Sequence, residues 1–399
     1  MLLGSHTLVA SPQRQLLRGW EMIDRSRIQS IDMMRGLVML IMLLDHVRER
    51  FFYHMQVLDP MDLDETSASL FFSRFAAHLC APVFVFLTGL SAWLYANPVN
   101  GPARSARSFL LKRGLFLIAL EVTIINFSWM GSYHTIWLQV IWAIGLSMVV
   151  LALVSQWPKA VLTLLGFGIV FGHNLLTPVS FQPDEWGYSL WTILHDRNFL
   201  VSEGAVKIKA SYPVLPWIGV IILGYLAGPL YSKTLSAEHR GRLLLQLGAG
   251  CLLLFIVLRG FNIYGETLDW QLYPDLVTSL MSILNLTKYP PSLNYLLVTL
   301  GLMFLLLFVL EKPQGNWTQI LVNFGSAPMF FYILHLYVLL VLYRIVLALC
   351  GPNQGEGFGM EHMGWIWLTT VLLAVALYLP TKWFSLYKKR SQQAWIRYL

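Results

Sequence analysis

The stretch IDMMRGLVMLIMLLDHVRERFF, residues 31–52, decides how this chain is read. Asp32 and Arg35 open it, an apolar run follows, and Asp45, His46 and Arg48 come before its end. Ionisable groups at membrane depth cost roughly 2.5–3.5 kcal/mol each on insertion scales, so they face a protein interior or a wet cavity and mark function. On a helix, Asp32, Arg35, His46 and Tyr53 fall within about 60° of one another, with Met39 and Met42 in the same stripe. A polar seam is therefore expected up one face, with His46 about 16 Å above Arg35. Asp45 and Arg48 project from other faces.

Outward from this segment the composition is 56% hydrophobic and 12% charged, against about 25% charged in a soluble domain. Nine further apolar runs lie near 70–96, 109–128, 134–155, 158–175, 212–231, 242–260, 291–310, 320–349 and 364–386. The expected fold is an all-α polytopic transmembrane bundle of about ten spans. Arg and Lys collect in alternate connections: Arg14, Arg18, Arg25 and Arg27 in the N-terminal tail; Arg104, Arg107, Lys112 and Arg113; Lys233, Arg240 and Arg242; Lys388, Lys389 and Arg390 at the end. The intervening segments are acidic or balanced, as with Asp59, Asp62, Asp64 and Glu65, or Glu356 and Glu361. That alternation places both termini in the cytoplasm. Residues 1–26 read as a mobile cytoplasmic tail with Met22 as an alternative start and no signal peptide. Residues 27–390 form a single transmembrane domain and 391–399 a C-terminal cytoplasmic tail. The formal charge of +7 follows from this topology and does not speak for nucleic acid.

Two connections are long, 176–211 and 261–290, and long loops often carry function. Trp191 and Trp270 within them suit either interfacial anchoring or stacking on a sugar. The second run carries Arg74 and His78 one turn apart, followed by CAPVFVFLTG, where Pro82 removes a backbone hydrogen bond. Glu121, His335 and Arg344 lie inside later runs. Singly, each has a structural alternative: Asp32 and Arg35 pair at the membrane edge, Arg74 snorkels, and a histidine is satisfied within the bundle. Together they predict a polar chamber, suited to acid–base chemistry or to proton-coupled transport. Cys80, Cys251 and Cys350 lack ligand spacing and read as small buried apolar residues. The sequence has no Walker loop, GxSxG elbow or HExxH, and no metal is expected.

RIQSIDMMRGLVMLIMLLDH resembles bacterial membrane proteins of the heparan-alpha-glucosaminide N-acetyltransferase catalytic-domain family. DPMDLDETSASLFFSRFAAHLCAPVFVFLTG (59–89), YPVLPWIGV (212–220), TKYPPSLNYLLVTLG (287–301) and FGSAPMFFYILH (324–335) carry the resemblance through most of the chain. The family's lysosomal member moves the acetyl group of cytosolic acetyl-CoA onto a terminal glucosamine amine across the membrane. The resemblance implies an integral-membrane acyltransferase of the bacterial inner membrane. It would use acetyl-CoA or another acyl-CoA as co-substrate and a glycan or related small molecule as acceptor, and it would work within the lipid bilayer; a homodimer is compatible with it. Acyl transfer needs a base and oxyanion donors. His46 is the first candidate base, oriented by a carboxylate, with Asp45 beside it. His54 is the second, standing in the loop where the family's catalytic histidine lies, with different flanking residues. Arg35, Arg104, Arg107 and Arg113 would meet CoA phosphates. Arg74, His78, Glu121, His335 and Arg344 would bind the acceptor or stabilise the oxyanion, with Trp191 and Trp270 framing a vestibule. The competing reading is a transporter exporting an anionic or sugar-like solute through the same chamber.

Overall fold

The structure, a computed structural model, describes residues 28–52, 61, 63, 66–312, 315 and 317–398. The N-terminal tail with Met22, the acidic cluster Asp59, Asp62, Asp64 and Glu65, and both Tyr53 and His54 lie outside the described residues.

Each of the ten apolar runs contains helix, with some divided and the run 134–155 opening on a strand. The first is α1 (Gln29–Phe51). The second divides into α2 (Ala68–Ala77) and α3 (Cys80–Ala96). The third is α4 (Arg107–Leu120), which passes through a π-helical turn, Glu121–Ile125, into α5 (Asn126–Met130). Then follow β1 (Thr135–Leu138), α6 (Val140–Val154), α7 (Lys159–Gly172) and α8 (Tyr188–Leu194). Strands β2 (Phe199–Val201) and β3 (Lys207–Ala210) precede α9 (Leu215–Leu226) and α10 (Ala237–Gly260). The chain continues with α11 (Leu276–Leu284), α12 (Leu293–Leu310), α13 (Thr318–Ser326), α14 (Pro328–Cys350) and α15 (Met363–Arg390). Among the described residues six helical stretches are long and apolar enough to cross a membrane. The central helix α1 is not one of them, because it carries six ionisable side chains besides His46.

Proline explains the breaks in the second and ninth runs. Pro82 has no N–H, so the His78 carbonyl one turn earlier loses its helical partner. The chain tightens there, with His78 N donating to Phe75 O and Leu79 N to Ala76 O. The Tyr295 hydroxyl of α12 donates to the His78 carbonyl instead, at 2.8 Å. Pro328 likewise starts α14, with Ala327 before it out of the helical region at φ −132° and ψ 55°, as expected of a residue preceding proline.

Two groups of helices make the bundle. Helix α1 packs on α13, α14 and α15, while α9 packs on α3 and α7, and α4 on α6. Close approach relies on paired glycines: a Cβ on Gly36 would strike the Leu321 carbonyl, and one on Gly325 the Asp32 carbonyl. Gly89 and Gly224 do the same for α3 against α9. Such small-residue seams let backbones meet where lipid supplies no hydrophobic drive between helices. Outward-facing apolar side chains, such as Leu253 of α10 and Leu349 of α14, are exposed. Of the cysteines only Cys80 is buried; Cys251 is half-buried and Cys350, at the end of α14, is exposed.

The two long connections, 176–211 and 261–290, hold regular structure of their own. They contain α8, α11 and strands β2 and β3, which join β1 in a three-stranded sheet of order β1-β3-β2, with β1 parallel to β3 and Thr135 opposite Lys207. The loop after α10 is tied by Arg259, which donates to the carbonyls of Leu268, Ser282, Ile283 and Asn285. Glu266 accepts from Thr287 N, Thr287 Oγ1 and Ser292 Oγ. Burial raises the Glu266 carboxyl, and these bonds pull it part of the way back. The knot fixes Lys288, the next residue, at the inner edge of the loop.

Candidate active site

A cavity of about 720 Å³ runs between the two helix groups, within the size range of small-molecule and cofactor sites. At one end it is lined by Arg35, Ser91, Tyr95, Phe109, Arg113 and Lys388. At the other end stand Asp45, His46, Tyr212, Lys288 and Tyr332. Met39, Met42, Thr88, Ile144 and Met148 line the middle. Arg35 and His46 are separated by three helical turns of α1, about 16 Å. Among the described residues the lining holds four Lys or Arg and one carboxylate, Asp45. Cations thus outnumber carboxylates in the lining, with Arg35 itself paired to Asp32 behind it.

At the Arg35 end, Arg35 Nη1 meets Asp32 Oδ1 at 3.2 Å and Nη2 donates to Ser91 Oγ at 2.5 Å. The Tyr95 and Phe109 rings stack at 4.3 Å, and the Arg104 guanidinium covers Tyr95 at 3.9 Å. Arg104 therefore borders this end without lining it, and Arg107 is exposed outside the lining. Tyr398 packs back against Phe109 and Phe116, and Ile396 is buried. Ile396 and Tyr398 thus dock onto the bundle.

At the other end two imidazoles meet from opposite ends of the chain. His46 Nδ1 lies 2.7 Å from His335 Nε2, and His335 Nδ1 lies 2.7 Å from the Phe331 carbonyl. A carbonyl only accepts, so His335 Nδ1 carries a hydrogen. With both rings neutral, His335 Nε2 then accepts from His46 Nδ1–H. This leaves the lone pair on His46 Nε2, which has no hydrogen-bond partner among the described residues. His46 lines the cavity, and fully buried His335 stands behind it. Trp129 and Tyr332 meet His46 edge-on at 5.0 and 5.7 Å. The Tyr332 hydroxyl, buried in the same wall, has no partner among the described residues.

Asp45 is committed elsewhere. It accepts from Arg74 Nη1 at 2.6 Å and from Arg48 Nε and Nη2 at 3.1 and 3.0 Å. Glu49 closes the cluster, 3.3 Å from Arg48 and 3.7 Å from Arg74. The expectation that a carboxylate orients His46 is corrected here: both oxygens of Asp45 are engaged by guanidinium groups, and the group that fixes the ring is His335. Asp45 does face the cavity, contrary to its helical-wheel position, because the cavity wraps a wide sector of α1.

Other expected site residues are placed apart. Arg74 stands behind Asp45 and His78 packs on Tyr295 at 5.0 Å, both outside the lining. Glu121 accepts from Trp142 N in the first turn of α6 at 3.0 Å, a helix-capping role, and does not line the cavity. Arg344 is exposed on a separate apolar groove with Phe127 and Leu340. Trp191 stacks on His195 and donates to the Val179 carbonyl, while Trp270 donates to the Gly260 carbonyl. Neither frames this cavity. Lys288, Tyr212, Tyr332, Ser91 and Lys388 are lining residues that sequence reasoning did not single out. Three of them lie in stretches that carry the family resemblance: YPVLPWIGV, TKYPPSLNYLLVTLG and FGSAPMFFYILH. No set of three or more metal-ligating side chains converges among the described residues.

The family profile described as "Heparan-alpha-glucosaminide N-acetyltransferase, catalytic" matches residues 27–261. No individual curated protein matches the chain.

Proposed function

The chain belongs to the heparan-alpha-glucosaminide N-acetyltransferase catalytic family, and from that membership we propose an acyl-CoA-dependent acyltransferase working across a membrane. The single observation that carries this reading is the cavity itself, with cations at one end and an uncommitted imidazole nitrogen at the other. A CoA thioester has the same polarity, with phosphates at one end and the reactive carbonyl at the other. Arg35, Arg113 and Lys388 would hold the phosphates, with Arg104 at the rim. Basic connections adjoin this end, which supports a cytoplasmic donor side, both termini in the cytoplasm and about ten crossings. The acceptor, a hydroxyl or amine of a glycan or related molecule, would enter from the Lys288 end.

His46 Nε2 takes the proton from the acceptor as its oxygen or nitrogen attacks the thioester carbon. The Tyr332 hydroxyl donates to the oxygen that becomes negative. The tetrahedral intermediate collapses, the C–S bond breaks, and the imidazolium returns its proton to the departing CoA thiolate. His335 is a positioning residue: it fixes the tautomer and the ring of His46. His54, outside the described residues, is the alternative base. The family match favours transfer over export of a solute.

The test uses purified full-length protein in nanodiscs with radiolabelled acetyl-CoA and a panel of sugars and amino sugars. Label should move to an acceptor, and Arg113→Gln should raise the KM for acetyl-CoA. No labelled product together with no CoA binding by calorimetry would overturn the reading.

A further inference from the structure

The charges at the Lys288 end do not cancel. Arg48 and Arg74 are matched by Asp45 and Glu49 in one closed cluster. Lys288 lines the cavity but has no ion-pair partner among the described residues. It lies instead beside two rings, 5.3 Å from the centre of Tyr289 and 6.0 Å from that of Tyr212, whose hydroxyls are 3.3 Å apart.

Two more cations continue outward in the same manner. Arg197 sits over Tyr289 at 4.6 Å, and Lys209 of β3 lies 5.2 Å from Trp137 and 4.9 Å from Phe199. Neither has a carboxylate partner among the described residues. Aromatic faces hold cations in place while leaving their charge for a ligand. Burial, with Arg197 nearby, lowers the Lys209 ammonium below its ordinary value, as expected where cations are gathered without counterions. A cleft lined by one sign of charge concentrates ligands of the other sign.

We propose that the acceptor carries an anionic group, a carboxylate or a phosphate, beside the hydroxyl or amine that is acylated. Lys288 binds that anion at the Tyr212 end of the cavity, and Arg197 and Lys209 guide it there. This rests on the acyl-transfer reading above and narrows its acceptor. The nucleophile then lies between Lys288 and His46, both in the wall of the same end. A cationic aminium acceptor without a compensating anion is disfavoured by the same field.

The experiment compares D-glucose, D-glucuronate and glucose 6-phosphate on the full-length protein in nanodiscs. Calorimetry should find at least one anionic sugar bound about tenfold or more tightly than glucose, as a charge-assisted contact gives. Lys288→Met should remove the difference, and Lys288→Arg, which keeps the cation and reports on folding, should retain it. In the transfer assay Lys288→Met should raise the KM for the anionic acceptor while leaving kcat and the KM for acetyl-CoA within about twofold. Equal binding of neutral and anionic sugars overturns the proposal, as does a Lys288→Met effect confined to acetyl-CoA. Anion binding that depends on Lys288, with no transfer to any acceptor, keeps the anion site and overturns the transferase reading instead.

Discussion

Helices α1 and α10 are almost equal in length, 23 and 24 residues, and they live in opposite surroundings. Helix α1 carries Asp32, Arg35, Asp45, His46, Arg48, Glu49 and Arg50, and other helices enclose it on several sides. Past its charged first turns, α10 carries one charge, Arg259, and presents Leu253 and Ile256 outward. Each ionisable group of α1 is answered locally, by Arg74 and His335 from other helices and by carbonyls that take the hydrogens of Arg50. Arg259 is answered in the same way, by four carbonyls of the loop it ties down. Length and apolarity thus pick out α10 as a membrane-crossing helix and pass over α1, which lines the cavity.

The contrast is sharpest at His46, the base of the proposed transfer. His46→Gln should lower the rate of acetyl transfer by about 10²–10⁴, with an unchanged melting curve; a near-normal rate would move the base to another imidazole, His54 first. Next comes the ion cluster. Arg74→Ala strips Asp45 of its shortest partner, and breaking a buried pair costs about 3–5 kcal/mol. Thermal unfolding in detergent should show that loss as a large fall in melting temperature, and a variant as stable as wild type would mean Arg48 alone suffices. A smaller effect is expected from Tyr295→Phe. It orphans the His78 carbonyl at the proline break, for about 1–3 kcal/mol, again read from thermal unfolding. On α10, Leu253→Ala should change stability by no more than about 0.5 kcal/mol. A larger loss there would place a partner on that face and end the comparison.

Much of α1 was legible because an apolar run with charges inside it has few physical solutions. The helical wheel placed Arg35 and His46 on one stripe, and both line one cavity. The ten apolar runs found their helices, and Pro82 marked a break. What sequence gives is depth along a helix and little of the direction a side chain faces among neighbours. Glu121 and Arg344 lie at plausible depths, but one caps α6 and the other faces outward. The pairing of His46 with His335 joins positions 289 residues apart, and no local pattern encodes that. Lys288 and Tyr332 were passed over for different reasons. In sequence the first is a single cation in a long loop and the second one aromatic among several in an apolar run. The sheet was missed because its strands are three or four residues long, too short for alternation to register.

Two partners of the α1 ionisable groups, Arg74 and His335, arrive at very different moments of synthesis. Arg74 follows Asp45 by only 29 residues, so the next helix to emerge from the ribosome neutralises the acid. His335 comes much later, when most of the bundle has been made. A nascent chain is therefore electrostatically settled early and chemically incomplete until its last third is inserted. Truncation before α14 would keep Arg74, the partner of Asp45, and remove His335, the residue that holds His46 Nδ1.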